Sequence, residues 1–212
     1  MITAVLFDFG GVFTSSPFAA FAAYERAHRL PENFIRQINA TNPHDNAWAR
    51  FERAEIDLDG FDRAFAAEAR SLGYEVPGRD VVALLAGDLR AGMVTALRCI
   101  KAAGLKTGCI TNNVPGLGAE GGQDNRLYRG EVMALFDAVL ESSKIGVRKP
   151  DPRIYLQMCE VLGVDPRDCI YLDDLGINLK PARELGMTTI KVDEAEPAIR
   201  RLSALLALEL EL

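Results

Sequence analysis

Four places in the sequence set chemically active side chains at the ends of strand-like segments or in a loop that follows one. They are Asp8, Thr111 with Asn112, Lys149, and Asp173 with Asp174. In an open parallel sheet, ligands bind beyond the carboxyl ends of the strands, so these side chains would meet at one edge. Carboxylates, a hydroxyl, an amide and a cation together indicate metal-assisted transfer of a phosphoryl group.

Crowded carboxylates repel one another unless protons or a cation compensate them. A hard divalent ion such as Mg²⁺ prefers oxygen ligands and could bridge them to a phosphate oxygen. Asp8 could then attack the phosphorus and form an acyl phosphate that water hydrolyses. In this interpretation Lys149 offsets negative charge, while Thr111 and nearby backbone N–H groups hold phosphate oxygens.

Short apolar segments alternate with helical patterns through most of the chain. Strands are predicted at residues 3–9, 105–110, 138–140, 169–172 and 188–192. Helices are predicted between them, the clearest over 92–103. This alternation predicts an α/β fold with a Rossmann-like, doubly wound and mainly parallel sheet.

Residues 15–85 interrupt the alternation with helical patterns only, and we expect them to form an inserted cap domain. Residues 1–14 and 86–212 then form the core domain. Ser16 and Pro17 predict the start of the first cap helix, with Ser16 as its N-cap. Residues 113–130 predict a polar, glycine-rich loop.

Composition excludes several classes of function. The net charge of −6 argues against nucleic acid or an anionic membrane as the main partner. The sequence contains no apolar run of about 20 residues, the length that a membrane span needs. It also shows no secretion signal, so we expect a cytoplasmic protein. The four cysteines show no CxxC spacing, which favours free thiols. A small phosphorylated molecule is the expected partner, and monomer and homodimer both stay open.

The motifs resemble those of the haloacid dehalogenase (HAD) superfamily over nearly the whole chain. The four segments are FDFGGV at 7–12, ITNN at 110–113, GVRKPDPRIY at 146–155 and YLDDLGINLKPARELGM at 171–187. The last two look closest to the N-terminal phosphatase domain of soluble epoxide hydrolases and to the HAD domain of multidomain acyl-CoA dehydrogenase proteins. The helical insertion is similar to the C1-type cap of the family.

The resemblance implies a Mg²⁺ site. Asp8 would be both nucleophile and metal ligand, and Gly10 would offer its backbone carbonyl. Asp174 would bind the metal, with Asp173 helping directly or through water. Asn178 occupies the position of a residue that orients these carboxylates.

The resemblance also implies a phosphate site. Thr111 and Asn112 would bind phosphate oxygens. Lys149 would orient Asp8 and stabilise the transferring group.

Gly10 departs from the family pattern, because related phosphatases usually place there a second Asp that protonates the leaving alcohol. Such acid–base catalysis is typically worth about 10²–10⁴-fold. Three interpretations stay open: a substrate that needs little protonation, a cap residue such as His44 or Asp45 that replaces the acid, or a weakly active phosphoryl-ligand binder.

A 2-haloacid dehalogenase is a further alternative, since dehalogenases of the superfamily also lack the second Asp. The Asp173–Asp174 pair counts against it, because removal of a halide needs no metal. The sequence Phe-Gly-Gly after Asp8 also differs from the Tyr-Gly-Thr usual in dehalogenases.

Overall fold

The computed structural model describes residues 1–114 and 129–210. Five parallel strands form one sheet, in the order β3-β2-β1-β4-β5. They are β1 (Ala4–Phe7), β2 (Lys106–Thr111), β3 (Ala138–Glu141), β4 (Cys169–Asp173) and β5 (Thr188–Lys191). The predicted parallel α/β sheet is confirmed, and the predicted strands differ from the observed ones by only a few residues.

Helices cover both faces of this sheet because the side chains of each strand alternate between faces. On β1, Phe7 faces a core cluster with α6 (Ala91–Ala102) and α10 (Ala195–Leu206). Its neighbour Leu6 faces the opposite cluster with α8 (Pro152–Leu162) and α9 (Gly176–Glu184). The sheet is therefore doubly wound. A single helical turn, α7 (Ser142–Ile145), follows β3.

Five helices between β1 and α6 supply nearly all of a third apolar cluster, which Val114, three residues after β2, also joins. They are α1 (Phe18–Ala27), α2 (Phe34–Ala40), α3 (Ala47–Glu52), α4 (Leu58–Ser71) and α5 (Gly78–Ala83). On α4, Phe61, Phe65 and Ala69 recur every fourth residue and are fully buried, as expected for one face of a helix. This separate cluster supports our proposal that residues 15–85 are an inserted cap and that 1–14 and 86–212 are the core.

The prediction that Ser16 caps α1 is wrong. The N-cap position of α1 is Pro17, whose backbone is already close to helical, and no side chain caps it. The helix therefore begins one residue later than predicted.

Most of the predicted 113–130 loop lies outside the described residues. Arg129 and Gly130, at its end, are helical. All four cysteines are free and three are buried, which confirms the expectation of free thiols. In the part of the chain that the structure describes, no helix combines the length and the apolar character needed to cross a bilayer.

Candidate active site

The parallel register of the central strands brings Asp8 next to Asp173. Phe7 of β1 pairs with Leu172 of β4, and the Asp8 N–H donates to the Leu172 carbonyl at 2.8 Å. Both carboxylates are buried, since Asp8 is 7% and Asp173 0% exposed. Two strand ends thus place two acidic groups side by side in the interior of the protein.

Lys149 lies between these two carboxylates. Its Nζ is 2.8 Å from Asp8 Oδ1 and 2.9 Å from Asp173 Oδ2, and its side chain is 1% exposed. Asn112, just after β2, holds the lysine loop by both of its amide atoms. The Asn112 Nδ2 donates to the Lys149 carbonyl at 3.0 Å, and its Oδ1 accepts from the Lys149 N–H at 2.8 Å. A phosphate contact by Asn112 would therefore have to come from its backbone N–H.

Asp173 accepts hydrogen bonds on both carboxylate oxygens. The donors are Lys149 Nζ, the Tyr171 hydroxyl, the Leu175 N–H at 2.8 Å, and Asn178 Nδ2 at 3.1 and 3.2 Å. A carboxylate offers about four acceptor positions, so these contacts nearly saturate it. Asp173 is therefore better suited to anchor Lys149, and to contact a metal through water, than to bind a metal directly.

Tyr171 is a site residue that the sequence reasoning missed. It stands two residues before Asp173 on β4, and side chains two apart on a strand share one face. Its hydroxyl donates to the same Oδ2 atom that Lys149 contacts. The spacing within β4 could have indicated this contact, but a tyrosine on a buried strand also fits ordinary core packing.

The turn after β1 lies directly against Asp174. Gly11 has φ +72°, and a Cβ on it would collide with the Asp174 carboxylate. Glycine at this position therefore permits both the turn and the close approach of the acid. At Gly10, by contrast, no heavy atom of the described residues beyond its two chain neighbours lies within 4 Å of the place a Cβ would take.

Three carboxylates crowd together in this cluster, and Lys149 contacts two of them, Asp8 and Asp173. Oxygens of Asp8, Asp173 and Asp174 lie within 4.8 Å of one another. Burial raises the pKa of Asp8 to about 8, with further repulsion from Asp173 and Asp174, against the opposing effect of Lys149. Burial and the charge of Asp173 raise the pKa of Asp174 to about 6. A divalent cation would offset this charge, and the oxygen donors fit Mg²⁺.

The ammonium of Lys149 stays charged in this environment. Burial alone would lower its pKa, but Asp173 and Asp8 hold that pKa above the ordinary value for lysine. Thr111, which ends β2, is 6% exposed at the same edge of the sheet. The edge therefore collects the carboxylates, the cation and the hydroxyl that the sequence indicated.

A partly buried ion pair joins the helical block to the loop residue that precedes Lys149. Arg148 Nε donates to Glu52 Oε2 at 2.5 Å, and its Nη1 donates to the Pro43 carbonyl at 2.8 Å. The Trp48 Nε1 donates to the other oxygen of Glu52 at 2.8 Å. Burial raises the pKa of Glu52, although Arg148 opposes the shift. Sequence reasoning missed this contact as well.

His44 and Asp45, the cap residues considered as proton donors, are exposed in the loop between α2 and α3. This loop reaches the core through the Pro43 carbonyl, which accepts from Arg148. Their part in proton transfer stays a proposal.

Comparison with known protein families establishes the family of this chain. A family model described as haloacid dehalogenase-like hydrolase matches residues 2–186. The chain belongs to this family. It is therefore a hydrolase by family, and the resemblance seen in the motifs is confirmed.

Three relatives extend this result. The mouse acyl-CoA dehydrogenase family member 10 is 35% identical over 99% of this chain and 20% of its own length. The pig bifunctional epoxide hydrolase 2 is 30% identical over 99% of this chain and 40% of its own length. A phosphatase of Mycobacterium tuberculosis is 30% identical over 96% of this chain and 95% of its own length. The chain thus spans less than half the length of the first two relatives and nearly all of the third.

Solved structures show the same fold at lower identity. A HAD-like family hydrolase from Porphyromonas gingivalis matches with a TM-score of 0.68 and 22% identity, over 99% of this chain and 100% of the other. The L-2-haloacid dehalogenase of Xanthobacter autotrophicus matches with a TM-score of 0.61 and 22% identity, over 99% and 85%. At such identities these likenesses establish the architecture alone.

Proposed function

We propose that this protein is a Mg²⁺-dependent phosphatase that hydrolyses a small organic phosphomonoester through an aspartyl-phosphate at Asp8. The observation that carries the proposal is Lys149, buried between Asp8 and Asp173 at 2.8 and 2.9 Å. A buried cation held by two carboxylates beside a third is suited to the charge of a transferring phosphoryl group.

The contacts of Asp8 orient its carboxylate for attack. Its Oδ1 accepts from the Phe9 N–H at 2.6 Å and lies 2.8 Å from Lys149 Nζ. Among the described residues no donor contacts Oδ2. In the proposed reaction Oδ2 attacks the phosphorus, a new O–P bond forms, and the bond to the leaving alkoxide breaks. Water then attacks the same phosphorus and releases the Asp8 carboxylate and inorganic phosphate.

The proposed metal site consists of Asp8, Asp174 and the Gly10 carbonyl, with Asp173 assisting directly or through water. When bound, Mg²⁺ supplies positive charge that neutralises the phosphate and the crowded carboxylates. In the proposal Thr111 and the backbone of Asn112 hold phosphate oxygens, and Asn178 keeps Asp173 in place.

The leaving alkoxide must gain a proton, and Gly10 has no side chain to give one. The proposal therefore favours substrates with good leaving groups, such as acyl or aryl phosphates, unless His44 or Asp45 delivers the proton. The relative named as a phosphatase, similar along nearly its whole length, supports phosphate esters as the substrate class.

A phosphate-release screen over diverse phosphoesters tests the proposal, with Mg²⁺ and with EDTA. We expect release by the wild type that requires Mg²⁺ and is lost in Asp8→Asn. The matched control is Asp193→Asn, which removes an exposed carboxylate and should leave the rate unchanged. Full activity in Asp8→Asn would overturn the proposal.

Gly10 also favours a second candidate, a phosphoryl-ligand-binding domain with little turnover. This candidate predicts Mg²⁺-dependent binding of inorganic phosphate, seen by calorimetry, without phosphate release from any ester. Turnover at ordinary enzyme rates would remove it.

A 2-haloacid dehalogenase is a third candidate, because Gly10 also fits dehalogenases, which lack the second Asp. Halide release from 2-haloacids that persists in EDTA would support it. Strict dependence on Mg²⁺ would count against it.

A further inference from the structure

The loop that carries Lys149 is held from two sides. This lysine loop, residues 146–151, lies between α7 and α8. From the core, Asn112 pairs with the N–H and the carbonyl of Lys149, and two carboxylates contact the ammonium. From the helical block, contacts are made to Arg148, the residue directly before the lysine. Both halves of the molecule therefore fix this loop.

Two groups of the helical block bind the guanidinium of Arg148. Its Nε donates to Glu52 Oε2 at 2.5 Å, and its Nη1 donates to the Pro43 carbonyl at 2.8 Å. The side chains of Arg148 and Glu52 are 18% and 8% exposed. The helix that ends in Glu52, α3, also contacts α7, the helical turn just before the lysine loop. The block thus meets the core along the stretch of chain that leads to Lys149.

Glu52 is itself held in place within the helical block. The Trp48 Nε1 donates to Glu52 Oε1 at 2.8 Å, from a position four residues earlier on the same face of α3. The indole packs edge-on against the buried ring of Phe61 on α4, with the ring centroids 5.2 Å apart. A continuous series of contacts therefore runs from the apolar cluster of the block, through Glu52 and Arg148, to the lysine loop.

Stability alone explains this ion pair poorly. Moving two charges out of water costs about as much as their attraction returns, and an apolar pair of similar volume is often equally stable. What the ion pair adds is direction, because the planar guanidinium forms hydrogen bonds at fixed angles. Direction matters beside a reacting group, since a displacement of about 1 Å can slow a reaction by about 10²-fold.

We propose that Glu52 and Arg148 are positioning residues for Lys149. Through this pair the helical block fixes the lysine loop, so that the ammonium group meets the transferring phosphoryl group in the correct place. The pair therefore acts on the transfer step, which all esters share, and not on the choice of substrate. The inference rests on the proposed function for the reaction itself.

Two single variants test the positioning role by separating kcat from KM. In Glu52→Gln and in Arg148→Met we expect kcat to fall by about 10–100-fold. The KM should change by less than about 3-fold, as for a contact that matters in the transition state. The loss should be the same for acetyl phosphate and for phenyl phosphate, because both present the same phosphoryl group. A loss confined to one ester would mean that the pair shapes the substrate pocket, and it would overturn the inference.

The matched control is Glu55→Gln, the same substitution three residues later. Glu55 Oε1 accepts from Arg53 Nε at 2.6 Å, so this ion pair stays within the helical block. The control should keep the wild-type kcat. An equal loss of kcat in Glu55→Gln and Glu52→Gln would overturn the inference, because disturbing any ion pair of the block would then suffice.

A double variant separates positioning from stability. Glu52→Met/Arg148→Met replaces both charges by apolar side chains of similar length, so we expect a Tm close to that of the wild type. The loss of kcat should persist, because a contact between two methionines has no fixed direction. A return to the wild-type kcat would show that the ion pair serves stability alone, and it would overturn the inference.

Hydrogen exchange measures the hold on the lysine loop without any turnover. The Lys149 N–H donates to Asn112 Oδ1 at 2.8 Å, and the Asp151 N–H donates to the Arg148 carbonyl at 3.0 Å. In Glu52→Gln we expect the peptide containing residues 146–151 to exchange about 5-fold faster or more, the effect of one lost hydrogen bond on local opening. Glu55→Gln should exchange there as the wild type does.

This measurement also separates the inference from the proposed function. If the wild type hydrolyses no ester but exchange in the lysine loop rises in Glu52→Gln, the phosphatase proposal fails and the hold of the helical block on the loop stands. If esters are hydrolysed but neither kcat nor exchange depends on Glu52 and Arg148, the inference fails alone.

Discussion

Two lysine–carboxylate contacts lie at opposite ends of the sheet, and they differ mainly in burial. At the carboxyl end, Lys149 contacts Asp8 and Asp173, and its side chain is 1% exposed. At the amino end, Lys101 Nζ lies 2.5 Å from Asp137 Oδ1, with the two side chains 33% and 40% exposed. The same pairs of functional groups therefore act in two different environments.

The pKa values of the two acids shift in opposite directions. Partial burial opposes ionisation of Asp137, but hydrogen bonds from Lys101 and Thr107 lower its pKa. At Asp8 the burial is deeper and outweighs the charge of Lys149, and the charges of Asp173 and Asp174 add to it, so its pKa rises to about 8. In the more exposed pair, the charges of Lys101 and Asp137 balance each other. The buried cluster holds unbalanced negative charge, which stabilises a fold poorly but suits a site that receives a cation and a phosphate.

Removing each lysine gives the largest expected contrast. Lys149→Met leaves buried carboxylates without their cation, so we expect the free energy of unfolding to fall by about 3–5 kcal/mol. Phosphate release should fall by at least about 10²-fold. Lys101→Met should cost no more than about 1 kcal/mol, as for an exposed pair. Urea unfolding and the phosphate-release assay measure both effects. Equal losses of stability in the two variants would break the comparison.

Gly10→Asp adds a carboxyl group where the chain offers space, since no described heavy atom beyond the two chain neighbours lies within 4 Å of the Cβ position. If proton transfer to the leaving group limits turnover, we expect the rate on alkyl phosphates to rise by about 10²–10⁴-fold. Acyl phosphates should gain far less. The control is Gly130→Asp, at a second glycine with open space. A lower rate on alkyl phosphates in Gly10→Asp would count against this explanation.

The metal-free protein should lose stability as pH rises. The folded state keeps a proton on Asp8 up to about pH 8, whereas the unfolded chain releases it near the ordinary pKa of 3.8. The unfolded state then binds fewer protons, so the free energy of unfolding falls with rising pH between these two values. Asp174, with its pKa raised to about 6, acts in the same direction.

Thermal unfolding in EDTA across this pH range measures the effect as a falling Tm. Asp8→Asn should weaken the fall, because an amide does not titrate. Adding Mg²⁺ should raise the Tm most at the upper end of the range, where protons no longer compete for the carboxylates. A Tm that rises with pH in EDTA would contradict this electrostatic account.

The smallest expected effect concerns Tyr171. Tyr171→Phe removes one donor from Asp173 while Lys149, Leu175 and Asn178 keep theirs, so we expect a loss of about 0.5–1.5 kcal/mol in unfolding free energy. The KM should change little, and kcat should fall several-fold because Asp173 holds Lys149 less firmly. Tyr24→Phe is the matched control, since its hydroxyl also donates to a carboxylate, that of Asp80, but at an exposed place in the helical block. An identical kcat loss in both variants would remove the positioning role of Tyr171.

The strand ends could be predicted from sequence because short apolar segments mark each strand within a few residues. Apolar segments such as 3–9 identify the strands, and parallel strands bring their carboxyl ends to one edge, so Asp8, Lys149 and Asp173 were expected together. The single turn α7 could not be recognised, since four residues are too few to show a helical period.

Side-chain contacts between distant residues were also beyond the sequence. The Arg148–Glu52 pair joins residues 96 positions apart, and the Asn112 contacts to Lys149 join residues 37 positions apart. Such contacts depend on how the helical block and the loops pack, and neither residue type nor spacing indicates them.

The most direct test of the central claim is to trap the phosphoryl group on the protein. The chain is mixed with Mg²⁺ and acetyl phosphate, whose leaving group needs little protonation, then quenched in acid and mapped by mass spectrometry. We predict a phosphoryl group on the peptide that contains Asp8, absent in EDTA and in Asp8→Asn. A phosphoryl group on another residue, or phosphate release by Asp8→Asn at the wild-type rate, would contradict the assignment of Asp8 as the nucleophile.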